Sequence, residues 1–94
     1  MDVDEIIEMV VTKNISRNEL DKYLSNLSLS KLYEFWGKMA RDHYEVLKRM
    51  SPTTKTTIAL PRDFLIVVKL KANSKGSSIT QIIRDKFVDF LLNE

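Results

Sequence analysis

The feature that most constrains this chain is a short alternating segment followed by two helical patterns. Residues 56–61 read Thr-Thr-Ile-Ala-Leu-Pro, which we interpret as the period-two alternation of a strand. Helical spacing begins at Arg62, breaks at 75–77 and resumes after Ser78. One strand and two helices, about 40 residues in all, bury too little apolar surface to fold alone. The sequence therefore predicts that this segment needs a second copy of the chain.

Local chemistry supports each boundary in this segment. Pro61 lacks an amide hydrogen and has a fixed φ, so it ends a strand and suits the first turn of a helix. Gly76 stands where a helix must stop, because the left-handed conformation is cheap only for glycine. Ser78 and Gln81 have the spacing of a capping box. Apolar residues then recur at intervals of three and four, at Ile79, Ile82, Ile83, Phe87, Phe90 and Leu91.

These residues, together with the run Gly-Ser-Ser-Ile-Thr-Gln-Ile-Ile-Arg at 76–84, resemble the ribbon-helix-helix family of DNA-binding proteins, the group that includes the Arc and MetJ repressors. The resemblance covers residues 55–92 and does not extend to the first fifty. It implies a mainly α fold with one short β-strand. Two such chains would form an intertwined dimer through a two-stranded antiparallel ribbon.

The alternation divides the predicted strand into two faces. Lys55, Thr57 and Ala59 share one face, and the bulkier Ile58 and Leu60 share the other. The family resemblance implies that the first face contacts DNA bases in the major groove. The other face would join the dimer core, for which the pattern and the resemblance together indicate Ile58, Leu60, Phe64, Val68, Ile79, Ile82, Ile83 and Phe87.

A second DNA contact is predicted where the last helix begins. The first amides of a helix have no partner within the helix, and the helix dipole favours an anion there. The resemblance implies that this end binds a backbone phosphate. The residues expected to take part are Ser77, Ser78 and Thr80, with added charge from Lys75 and Arg62.

The first half of the chain reads as three helices. A stripe at Val3, Ile6, Ile7 and Val10 gives the first helix, and a capping box from Ser16 to Glu19 opens the second. Ser28 or Ser30 caps the third, which is the longest and is expected to run to Met50. The residue before Pro52 is pushed out of the helical region. We therefore predict an N-terminal helical region at 1–51 and a DNA-binding region at 52–94.

The first helix of the second region contains an anomaly. Lys71 occupies a position where the resemblance implies an apolar residue. Ile66 and Leu70 lie on a different face, which is usually polar in isolated ribbon-helix-helix dimers. A row of exposed aliphatic side chains needs a cover. We hypothesise that the N-terminal helices pack on this face or leave it for a partner protein.

Charge and composition narrow the function classes. Residues 55–94 carry seven Lys and Arg against four Asp and Glu, whereas residues 1–54 carry eight against nine. The chain has no cysteine, one histidine and two glycines. It therefore lacks the residues for a cysteine and histidine metal site, a glycine-rich nucleotide-binding loop or a nucleophile-base pair. We expect no enzyme and no cofactor. No segment reads as a signal peptide or a bilayer span, so a cytoplasmic location is expected.

Two classes of function remain. The first is a homodimeric protein that binds double-stranded DNA and regulates transcription as a repressor, with further association of dimers left open. The second is a non-enzymatic adaptor or accessory subunit that uses the ribbon-helix-helix only to dimerise, and whose N-terminal helices bind another protein. A DNA partition (centromere-binding) protein is a third reading with the same fold.

Overall fold

The described chain consists of helices joined by short connections and one longer one. The computed structural model describes residues 1–93, so Glu94, at the end of the predicted second region, lies outside it. The helices are α1 (Val3–Lys13), α2 (Arg17–Leu24), α3 (Leu29–Asp42), α4 (Tyr44–Met50), α5 (Arg62–Ser74) and α6 (Ile79–Leu92).

The predicted β-strand does not form. Residues 52–61 adopt neither helix nor strand, and the part of the chain from 1 to 93 contains no strand at all. The predicted fold class, mainly α with a strand and an antiparallel ribbon, is therefore wrong for this all-helical structure. The physical reason is that strand N–H and C=O groups need a neighbouring strand, and none is present within residues 1–93.

The N-terminal helices begin at side-chain caps, of which Ser16 and Ser28 are among those that the sequence predicts. Asp2 Oδ1 accepts from the Glu5 amide at 2.9 Å, Ser16 Oγ from the Glu19 amide at 3.2 Å, and Ser28 Oγ from the Lys31 amide at 3.4 Å. Asn14 closes α1 in the left-handed region at φ 50°. The predicted three helices are nevertheless four. His43, at φ −139° and ψ 47°, ends α3 and starts α4, so the expected long helix bends there.

Residues of α1, α2 and α3 form the hydrophobic core of the N-terminal region. Phe35 and Leu20 are fully buried in it, and Trp36 meets the Phe35 ring edge-on with centroids 5.0 Å apart. Lys38 on α3 donates to Asp4 on α1 at 3.0 Å, and this bond raises the pKa of Lys38. The buried members of the core are Val3, Ile6, Ile7, Val10, Leu20, Leu24, Phe35 and Met39.

The last helix joins the two halves of the chain. α6 runs antiparallel to α3, because Leu92 contacts Gly37 while Arg84 lies over the ring of Tyr44. The approach at Gly37 is close: a Cβ on this residue would lie 2.7 Å from Leu92 Cδ2. Val88, in the middle of α6, is buried at this interface. The N-terminal helices therefore cover one face of α6.

The protein is elongated and exposes more surface than its mass predicts. Its dimensions are 46 × 25 × 22 Å, and its radius of gyration is 15.9 Å, against about 12 Å for a compact chain of this length. Its accessible surface is 7261 Å², whereas a globular monomer of 11.0 kDa exposes about 5,600 Å². No helix within residues 1–93 is both long and apolar enough to cross a membrane.

Candidate nucleic-acid interface

The three predicted base-contacting residues lie on the connection between α4 and α5. Lys55, Thr57 and Ala59 are all exposed in the segment 52–61. Because no strand forms there, the chain does not hold the three side chains on one ordered face. Only their exposure is compatible with a direct contact to DNA.

The turn between α5 and α6 forms largely as the sequence predicts. Gly76 adopts φ 70°, and the Ser77 amide donates to the Ala72 carbonyl at 2.9 Å. Ser78 Oγ accepts from the Gln81 amide at 3.1 Å, so half of the predicted capping box is confirmed. The other half is wrong, since Gln81 Nε2 donates to Asp85 Oδ1 at 2.8 Å rather than reaching back.

The predicted phosphate-contacting residues surround this turn. Ser78 caps α6, Thr80 is exposed two residues further on, and Ser77, directly before Ser78, is half-buried. Lys75 ends α5 and is exposed. Arg62 lies at the opposite end of α5, thirteen residues away in sequence, so it does not join the cluster at the turn. The structure therefore brings four of the five together.

Lysines in the second region lack acidic neighbours. Lys55, Lys69, Lys71 and Lys75 are exposed, and none of them forms an ion pair with another residue of 1–93. Arg62 pairs with its neighbour Asp63 at 3.4 Å, where both side chains are fully exposed to solvent and the pair contributes little. Positive charge is thus uncompensated along 55–75.

Most basic residues of the N-terminal region, by contrast, have acidic partners. Five of the eight basic residues are paired, four of them at N–O distances between 2.8 and 3.0 Å and the fifth, Lys31 with Glu34, at 3.9 Å. In one pair, the Arg41 guanidinium lowers the pKa of Asp42 through a two-point hydrogen bond. The charges of residues 1–51 that form no ion pair within the described part of the chain, three basic and four acidic, nearly balance one another. The four shorter pairs are Arg17–Asp21, Lys38–Asp4, Arg41–Asp42 and Lys48–Glu45.

A single chain does not bring the predicted dimer-core residues into a closed core. Ile58, Leu60, Phe64 and Phe87 are between 46% and 61% exposed. The other four, Val68, Ile79, Ile82 and Ile83, are half-buried. Only Ala72 and Val88 are buried in the whole of α5 and α6.

The packing decides whether the N-terminal helices cover the face of α5 that carries Ile66 and Leu70. Ile66 is 46% exposed and Leu70 is 65% exposed. The N-terminal helices pack on α6 and leave this face of α5 uncovered. The first alternative, in which they cover Ile66 and Leu70, is therefore wrong.

Sequence reasoning missed the contact surface between α3 and α6. Gly37, Ala40 and Tyr44 follow one another at intervals of three and four residues, which places them on one side of α3 and the start of α4. Small residues at such spacing mark a close helix approach, and that signal was available in the sequence. The Arg84 guanidinium lies 4.1 Å from the Tyr44 ring centre and donates to Gln81 Oε1.

No family model, curated protein or solved structure matches the chain. Within residues 1–93, no group of three or more His, Cys, Asp or Glu side chains is placed to hold a metal ion. The distinguishing features of this region are thus its unpaired lysines, the capped turn before α6 and the apolar surface of α5.

Proposed function

We propose that this protein binds double-stranded DNA as a homodimer and regulates transcription without enzymatic activity. The observation that carries the proposal is the uncompensated positive charge along 55–75. Four exposed lysines there have no acidic partner among the described residues. A surface of this kind attracts a polyanion, because each neutralised phosphate releases counterions.

The turn before α6 supports a phosphate contact within the same region. Ser77, Ser78 and Thr80 bring hydroxyl groups to the start of a helix, and Lys75 lies beside them. The first amides of α6 point toward the same end. Lys55 and Thr57 are exposed on the connection before α5 and offer donors to base edges, while Ala59 offers a methyl contact.

The homodimer is supported by the surface that a single chain leaves exposed. The excess of about 1,600 Å² over a globular monomer is larger than the roughly 800 Å² that each partner gives to a standard interface. The sequence resemblance of residues 76–84 to ribbon-helix-helix proteins supports a dimer and a repressor role, but not a dimer joined through a ribbon, because residues 52–61 form no strand. A cytoplasmic, DNA-associated location without a cofactor belongs to this proposal.

A salt titration of duplex binding tests the proposal. Replacing Lys55, Lys69 and Lys75 with glutamine should weaken binding to a labelled random duplex. It should also make the negative slope of log K against log salt shallower by about two to three. The slope becomes shallower because each phosphate contact that is lost reduces by about one the number of counterions released on binding. Fluorescence anisotropy between about 50 and 200 mM salt measures both quantities.

The matched control removes the same charge elsewhere. Lys13, Lys22 and Arg49 are exposed on the N-terminal helices, and their replacement with glutamine changes the net charge by the same amount. This variant should keep the parent's slope. Equal slopes for the two triple variants would show that net charge alone attracts DNA, and a parent that binds no duplex would refute the function.

A second candidate is a non-enzymatic adaptor, and one observation favours it. Ile66 and Leu70 stay exposed on α5, which suits a partner protein as well as a second copy. An adaptor would show no salt-dependent duplex binding in the titration above. A partition protein would bind duplex DNA as a regulator does, and selection of bound fragments from random DNA would separate these two roles.

A further inference from the structure

The exposed side of α5 carries an apolar surface that the chain itself does not cover. Leu65, Val68 and Ala72 face the rest of the protein and are half-buried or buried. Phe64, Val67 and Leu70 are 57%, 63% and 65% exposed. A helix with apolar residues on both sides is normally covered on both sides.

The positions on this surface are symmetric about Val67. With about 100° of rotation per residue, Phe64 and Leu70 lie about 60° on either side of Val67. Asp63 and Lys71 lie about 40° on either side of it. The surface therefore has Val67 at its centre, Phe64 and Leu70 toward its edges, and an acid and a base that lie about 20° nearer the centre line than these two, the acid toward the N-terminal end and the base toward the C-terminal end.

Such an arrangement is self-complementary under two-fold symmetry. In a two-fold interface, residue i of one chain meets residue j of the other, and j meets i. Two antiparallel α5 helices that cross at Val67 would bring Phe64 against Leu70 of the partner subunit. Asp63 would then lie opposite Lys71 of the partner subunit, and the pair would occur twice.

We infer that this surface of α5 is an interface with a second copy of the chain, formed by antiparallel packing centred on Val67. The inference assigns a surface to the homodimer of the proposed function and requires neither DNA binding nor a strand at 55–60. Lys71, anomalous as a core residue, becomes the partner of an acid. The Arg62–Asp63 pair is fully exposed and does not compete strongly for Asp63.

The chain as a whole exposes enough extra surface to supply one side of a standard interface. The chain exposes 7261 Å², about 1,600 Å² above a globular monomer of its mass. A standard interface takes about 800 Å² from each partner. The apolar residues Ile58, Leu60 and Phe87 are also exposed and allow the contact to extend beyond α5.

A single introduced cysteine tests the geometry. The chain has no cysteine, so Val67→Cys carries the only thiol. Packed helices have axes about 8–10 Å apart, which brings residues at the crossing point within disulfide range. Mild oxidation should convert most of Val67→Cys into a covalent dimer on a non-reducing gel. Lys69→Cys, on the opposite side of α5, should stay mostly monomeric on the same gel.

Charge reversal tests the pairing across the interface. Asp63→Lys and Lys71→Asp each place like charges opposite one another twice, so each should weaken dimerisation by at least about threefold. The double variant restores opposite charges and should return to within about twofold of the parent. Lys69→Asp makes the same charge change outside the surface and should leave dimerisation unchanged.

Sedimentation of the full-length chain without DNA measures these affinities, while circular dichroism checks that each variant is folded. A double variant as weak as the single variants would overturn the inference, and so would absence of cross-linking at position 67. A monomeric parent would overturn it as well. Because DNA is absent, failure here leaves the salt titration as an independent test of duplex binding.

Discussion

The two halves of this chain use similar helices but reach different degrees of closure. Residues 3–50 enclose a core of eight buried side chains contributed by α1, α2 and α3. Residues 62–92 bury only Ala72 and Val88, although they contain many large apolar residues. The difference teaches that apolar content does not make a core. A core needs apolar faces that pack against one another, and the face of α5 with Phe64, Val67 and Leu70 has no such partner within residues 1–93.

The largest expected effect comes from matched phenylalanine truncations in the two halves. Phe35 is fully buried among the N-terminal helices, whereas Phe90 on α6 is 82% exposed. Phe35→Ala should lower the free energy of unfolding by about 3–5 kcal/mol, because it leaves a cavity. Phe90→Ala should change it by less than about 0.5 kcal/mol. Urea unfolding followed by circular dichroism measures both changes.

Equal losses of unfolding free energy in the two variants would contradict the difference in packing between the two halves. They would mean that Phe90 is as well packed in solution as Phe35. Repeating the titration at several protein concentrations would then tell whether the extra stability of the parent comes from association, since only association depends on concentration.

A smaller effect is expected at the junction between the halves. Gly37→Ala would bring a Cβ 2.7 Å from Leu92 Cδ2, so the leucine must move. The same change also gains helix propensity, worth about 0.8–1 kcal/mol in a helix interior. We therefore expect the single variant to be close to neutral in the free energy of unfolding, with the two effects offsetting each other.

A double-mutant cycle separates the two contributions. In a Leu92→Ala background the two nearest atoms are gone and only Leu91 Cβ remains close, at 3.2 Å, so Gly37→Ala should stabilise the protein by about 0.5–1 kcal/mol. The coupling between the two sites should therefore be about 1 kcal/mol, measured by thermal or urea unfolding. A coupling near zero would mean that α3 and α6 do not touch at this point in solution.

The smallest expected effect is acid sensitivity in the N-terminal region. The Glu5 amide donates to the Asp2 carboxylate and lowers its pKa. A lowered folded-state pKa stabilises the protein above the unfolded value of about 3.9, and this contribution is lost as the pH falls through the folded value. Asp2→Asn keeps an acceptor oxygen but does not titrate.

We therefore expect the parent to melt slightly above Asp2→Asn at pH 7, by at most a few degrees, and the gap to close in strong acid. Thermal melts at neutral pH and at about pH 2 measure the gap. An unchanged gap at the two pH values would show that Asp2 caps α1 without its charge.

Local sequence signals located most of the helices. Pro61, Gly76 and Ser78 set the start of α5, its end and the start of α6, and the structure agrees at all three. In the first half, Ser16 and Ser28 precede the starts of α2 and α3. Caps and stops work this way because they depend on hydrogen bonds and φ values within a few residues of one another.

Two features needed more than local signals and were predicted wrongly. The strand at 55–60 failed because its hydrogen bonds must come from another strand, which local alternation cannot supply. The helix expected to run to Met50 bends at His43. The sequence has no glycine or proline at that position that would predict a break. The sequence also left open whether the N-terminal helices cover Ile66 and Leu70.

The amino-acid sequence by itself determined where helices begin and end, the buried stripe of α1, and the excess of positive charge in the second half. Only the tertiary structure decided that α3 packs on one face of α6 through Gly37, and that Phe64, Val67 and Leu70 of α5 stay exposed. The physical reason is the separation along the chain over which each kind of interaction acts. Caps, stops and charge are properties of neighbouring residues, whereas the choice of which apolar face is covered depends on how whole helices pack together.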